Sequence, residues 1–151
     1  MKTWLLFVLG AVLFWGAYVP MMHEGQALLN RGALRAFLVV GMAYFVTAVL
    51  VPLVLLKGVN MEPWEWTSGG IKFAFIGGVL GAAGALCVIL ALKNGGSPLY
   101  VAPLVFAGAP IVNAFVSMAM HKPKSWPEPW FWVGLALAAL GASMVLRFKP
   151  A

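Results

Sequence analysis

Read as apolar and polar positions, the chain alternates five long apolar runs with four short polar or breaker-rich stretches. The runs extend from Thr3 to about Met22, Leu34 to Leu56, Ile71 to Leu92, Leu99 to Met120 and Trp130 to Arg147. Each approaches the roughly 20 residues that a helix needs to cross a hydrocarbon core about 30 Å thick. None shows the alternation of a barrel strand, which reaches across in about ten residues. The pattern therefore predicts an all-α integral membrane bundle of five transmembrane helices. Between the runs lie His23-Glu24-Gly25-Gln26, then Lys57 through Gly70, Lys93 through Pro98, and His121 through Pro129. These connections leave no room for an extramembrane domain, so residues 1–151 read as a single transmembrane domain.

Composition sharpens this reading. Hydrophobic residues make up 63% of the chain and charged ones only 9%, against about 25% charged in a soluble domain. Fourteen charged side chains, ten basic and four acidic, are too few to cover a soluble globule. The net charge of +6 raises the question of nucleic acid, but the basic residues are scattered singly. Contact with membrane lipid headgroups is the plainer expectation, with no nucleic-acid partner. The lone Cys87 can form no internal disulfide and offers no metal site. No Ser-His-Asp set or close carboxylate pair is placed for catalysis, so the sequence predicts no enzyme, no catalytic residue, no cofactor and no metal. Met1-Lys2-Thr3 followed by an apolar run resembles a signal peptide; without an Ala-x-Ala cleavage site it reads as a retained first span.

Tryptophans and charges bear on topology. Trp4, Trp64, Trp66, Trp126, Trp130 and Trp132 fall at predicted helix ends, where an amphipathic ring suits the headgroup layer. Trp15 lies within the first span. Five helices put Lys2, Lys57, Lys72, Lys122 and Lys124 on one side, and Arg31, Arg35, Lys93, Arg147 and Lys149 on the other. Orientation normally follows an excess of Lys and Arg on the cytoplasmic side. An even count leaves two readings open: dual topology, giving an antiparallel pair, or a single orientation set by the amino-terminal charge or by neighbours.

Small residues in the third span provide a packing face, with Gly77, Gly81 and Gly84 allowing close backbone approach. The same glycines offer no phosphate cradle, since they lie mid-membrane and not at a helix N-terminus. Pro20, Pro52, Pro103 and Pro110 interrupt or border spans. Each removes a backbone donor, and Pro110 is the candidate helix kink. One turn on, Asn113 is an amide at membrane depth, suited either to interhelical bonding or to a substrate, and Ser117 follows at i+4. With Trp15, Tyr18 and Tyr44 these are the candidate cavity residues; Thr47 and Ser143 are the other deep hydroxyls. His23 and Glu24 leave the first span in the interface, as a solvated end with Glu24 near Arg31 or Arg35, or as a possible gate.

Several motifs resemble one half of an EamA-like protein of the drug/metabolite transporter superfamily. The third span ends in Ala91-Leu92-Lys93, followed by the small-residue loop Asn94-Gly95-Gly96-Ser97. The fourth carries a central proline in Phe106-Ala107-Gly108-Ala109-Pro110-Ile111. The fifth contains Gly134-Leu135-Ala136-Leu137 and Gly141-Ala142, and the first holds Trp15-Gly16. The family's usual glutamate after the fourth helix is replaced by Met120-His121-Lys122.

The resemblance implies a transporter of a small metabolite or drug-like compound in the bacterial inner membrane. Family members commonly carry two five-helix repeats, so one half implies a homodimer around a midplane cavity, antiparallel under the dual-topology reading. That cavity is expected to be lined by the first, third and fourth helices. The related small multidrug resistance proteins use a mid-membrane glutamate in the first helix, and none stands here, which points away from proton-coupled cation efflux. The rival reading is a non-transporting accessory subunit of a larger membrane complex.

Overall fold

The computed structural model describes residues 2–150. It contains five helices long and apolar enough to span a membrane: α1 (Thr3–Leu28), α2 (Ala33–Lys57), α3 (Ser68–Lys93), α4 (Pro98–Met120) and α5 (Pro129–Arg147). No strand occurs among the described residues, and the fold is all-α.

Helix ends follow local chemistry. Thr67 caps α3, its hydroxyl oxygen accepting from the Gly70 N–H at 3.2 Å, and Ser97 caps α4 by accepting from Leu99 at 3.3 Å. Pro98 and Pro129 open α4 and α5, where a missing N–H costs no helical bond. Four of the five spans begin and end close to the sequence expectation; α1 does not. It continues past Met22 through the polar stretch to Leu28, so His23 to Gln26 form helix, not loop.

What stops α1 is Asn30, whose φ is +53°. Its N–H donates to the Ala27 carbonyl at 3.2 Å, and the Arg31 N–H donates to the Gln26 carbonyl at 2.7 Å. This pair of bonds around a left-handed residue is a Schellman closure, with asparagine in the place glycine usually takes.

Helix α2 is interrupted by a π-turn at Val46–Leu50, in which the Val51 N–H reaches back five residues to the Val46 carbonyl. Pro52 follows at once. It has no N–H for the Ala48 carbonyl, and its ring crowds that turn; widening the coil by one residue relieves the clash.

The described residues form two compact units. One comprises α1 up to Val19 together with everything from Gly96 onward. In it α4 packs on α5, with Phe115 and Trp132 in ring contact at 5.8 Å. The Lys149 ammonium lies 4.7 Å from the centre of the Tyr100 ring, a cation–π contact that draws the carboxyl-terminal segment to the start of α4. The other unit runs from Pro20 to Gly95. Its core is a seam between α2 and α3: Ala33, Ala36 and Val40 on one side, Ala85, Val88, Ile89 and Leu92 on the other, all buried. Spacings of three and four residues set each group on one helix face, and the small side chains let the backbones come close. The division within α1 falls between Val19 and Pro20, where proline removes a rung of the ladder.

Most large apolar side chains face outward. Phe7, Phe14, Phe73 and Phe75 are each more than 60% exposed, as lipid-facing residues of a membrane helix are. Trp4, Trp64, Trp66, Trp126 and Trp130 are exposed at helix ends or in connecting loops. Lys57 lies 4.8 Å over the Trp64 ring, and Trp64 meets Trp66 edge-on at 5.2 Å. That cluster has the mixed polar and aromatic character of a headgroup anchor.

Candidate functional site

In the first unit, α1 and α4 enclose a groove of about 640 Å³. Its α1 wall consists of Val8, Ala11, Val12, Trp15 and Gly16. The opposite wall is Val105, Phe106, Ala109 and Pro110 of α4, which straddle the midpoint of that helix. The volume lies within the range of about 300–1,000 Å³ that small-molecule sites occupy.

Trp15 is the largest side chain in the groove and 45% exposed. Its ring stands at 90° to Phe106 with centroids 6.2 Å apart, the edge-to-face arrangement that aromatic quadrupoles favour. On its own helix it also meets Tyr18 at 5.8 Å. One aromatic pair thus joins the two walls.

The backbone adds a feature that side chains do not show. In a helix each carbonyl accepts from the N–H four residues later. Four residues after Gly16 stands Pro20, and four after Phe106 stands Pro110. Neither proline has an N–H, so two groove-lining residues carry carbonyls stripped of their usual helical donor. Gly16 contributes space as well, since a Cβ placed there would meet no atom within 4 Å. The signal is legible in the sequence once the helix pair is known: a proline at i+4 from each of two residues that meet across it.

The other sequence-derived candidates are spread more widely. Tyr18 adjoins Trp15 but does not line the groove, and Tyr44 stands exposed on α2 in the other unit. Asn113 is exposed one turn beyond Ala109 and Pro110, and no hydrogen bond to its amide occurs among the described residues. Ser117 is exposed a further turn along. The deep hydroxyls behave differently: Thr47 donates to the Ala43 carbonyl and Ser143 to the Ala139 carbonyl, both at 2.9 Å. Each is satisfied by its own helix.

Gly77, Gly81 and Gly84 lie on an exposed face of α3, where an added Cβ would meet nothing within 4 Å. His23 is half-buried and Glu24 exposed on the last turns of α1. Between them and the helix end is Gln26, which polarity alone places in a loop: only 4% exposed, it donates from Nε2 to the Ile89 carbonyl at 2.7 Å. Among the described residues no group of three or more His, Cys, Asp or Glu side chains could hold a metal ion.

Comparison with known proteins adds the family. The model of the EamA-like transporter family matches residues 2–147, nearly the whole chain. No curated protein and no solved structure matches significantly. Five apolar helices and a family match of this extent make the protein an integral membrane transporter of the drug/metabolite transporter superfamily. The chain belongs to the EamA-like transporter family.

Proposed function

We propose that this chain carries a small metabolite or drug-like compound across the bacterial inner membrane, working as a homodimer of five-helix halves. The observation that carries the reading is the groove between α1 and α4, with Trp15 and Phe106 joining its walls at the midpoint of α4. Substrate sites of transporters lie near the bilayer midplane, beside helices whose hydrogen-bonding is interrupted. Pro20 and Pro110 supply such interruptions at two lining residues. Asn113 stands one turn beyond as an amide without a bonding partner among the described residues, an expensive state in hydrocarbon and a reason for it to meet solute or water.

The homodimer rests on the open face of α3. Gly77, Gly81 and Gly84 are exposed and a Cβ added at any of them would meet nothing within 4 Å, and helices in lipid associate through such small-residue faces. The five-to-five distribution of basic residues fits copies inserted in both orientations.

The test is cellular export combined with stoichiometry. Cells producing the chain are exposed to a panel of small aromatic toxicants, and retained compound is measured by mass spectrometry. Lower retention of at least one compound, restored by Asn113→Ala or Trp15→Ala at unchanged protein level, supports the carrier. Mass photometry of the purified protein in nanodiscs reads two copies per particle. Retention unchanged across the panel, with the chain co-purifying stably with other proteins, favours an accessory subunit and removes the carrier reading.

A further inference from the structure

We infer that the groove selects an uncharged, mostly apolar solute bearing one hydrogen-bond donor, such as an aromatic alcohol. The inference rests on the carrier reading and names its substrate class.

Two observations point the same way. The first concerns charge. From Thr3 to Met22 and from Asn94 to Met120 the sequence contains no Asp, Glu, Lys, Arg or His. Both groove walls come from these stretches, so an ammonium or carboxylate seated there would find no counter-ion on either wall. An ion without a counter-charge in a low-dielectric site loses far more hydration than apolar contact returns. The walls thus favour neutrality.

The second concerns hydrogen bonding. An apolar wall with no polar features would accept any hydrocarbon, lipid tails included. Here Pro20 and Pro110 each strip the helical donor from a lining residue, Gly16 and Phe106. A carbonyl that lacks its i+4 donor keeps acceptor capacity that a solute's O–H or N–H can use. Both are acceptors and neither wall presents an acid, so the complementary group is a neutral O–H or N–H. Aromatic walls favour a flat body behind it.

The test uses four probes of similar size: 2-[4-(trifluoromethyl)phenyl]ethanol, its methyl ether, the matching ethylamine and the matching phenylacetate. At neutral pH these are a neutral donor, a neutral non-donor, a cation and an anion. Binding to the full chain in nanodiscs is read by ¹⁹F NMR, with empty nanodiscs subtracted for partition into lipid. The alcohol should bind saturably and about tenfold more tightly than the ether, the size of one hydrogen bond to a buried acceptor. The amine and the phenylacetate should bind more weakly still. Pro110→Ala, which returns an N–H to the Phe106 carbonyl, should shrink the preference of alcohol over ether while leaving ether binding unchanged. Gly16→Leu, whose Cβ meets no atom within 4 Å, puts bulk into the groove and should abolish binding of both.

Other outcomes overturn the inference. Equal binding of alcohol and ether removes the donor requirement. Tighter binding of the amine or the phenylacetate, abolished by Gly16→Leu, shows a charged solute; the groove would then remain a transport site of a different class. No binding that responds to Gly16→Leu, as when a lipid tail or a second copy fills the groove, overturns this inference and the groove-based carrier reading together.

Discussion

The side chain of Gln26, near the end of α1, donates a 2.7 Å hydrogen bond to the backbone carbonyl of Ile89, the most deeply buried residue of α3. It is the buried polar bond that ties one helix of the second unit to another. Replacing Gln26 with Leu keeps the bulk and removes the bond, at a cost of about 0.5–1.5 kcal/mol. Gln26→Glu is the sharper change, because it sets an acceptor-only carboxylate against a carbonyl oxygen. Denaturant unfolding in detergent should rank wild type above Gln26→Leu, and Gln26→Leu above Gln26→Glu. A leucine variant as stable as wild type would show that this bond contributes little.

Asn30 ends α1 by adopting a φ of +53°, a region open to glycine and tolerated by asparagine. Asn30→Gly should leave thermal stability nearly unchanged, whereas Asn30→Val should lower it by about 1–2 kcal/mol. Comparing the two melting curves separates backbone strain from loss of the side chain.

The π-turn of α2 is attributed to Pro52. Pro52→Ala supplies the missing N–H and lets the ladder close as ordinary α-helix. Hydrogen exchange should show a protected amide at position 52 and slower exchange across residues 46–50. Unchanged exchange over 46–50 would mean that something other than the proline holds the turn open.

Gly81→Leu tests the outer face of α3. An added Cβ meets nothing within 4 Å and the residue is exposed, so helicity and monomer stability should hold. If two copies meet through that face, as proposed, the dimer fraction in nanodiscs should fall. A dimer that persists, with Gly77→Leu and Gly84→Leu equally silent, would place the contact elsewhere.

The architecture was legible because hydrocarbon imposes a length and a polarity that each span must satisfy, and Leu99 to Met120 met both almost to the residue. The end of α1 was not. His23, Glu24 and Gln26 look like loop because polarity argues against membrane, yet α1 continues through them and Gln26 finds an acceptor on a helix far along the sequence. The stop signal was Asn30, and its left-handed backbone is indistinguishable by composition from any other polar residue. Trp15 and Pro110 could be singled out from the sequence; that they share a groove with Gly16 and Phe106 depends on how two helices meet, which periodicity does not specify.

The bond between Gln26 and Ile89 spans 63 residues, and that gives it a place in time. At roughly 5–20 residues per second of synthesis, about 3–13 s separate the emergence of the two partners. During that interval α2 and then most of α3 are still being made, and the Gln26 amide has no Ile89 carbonyl to donate to. The polar end of α1 therefore gains its buried partner only once most of α3 has been made, so this bond is a late closure and not an early guide.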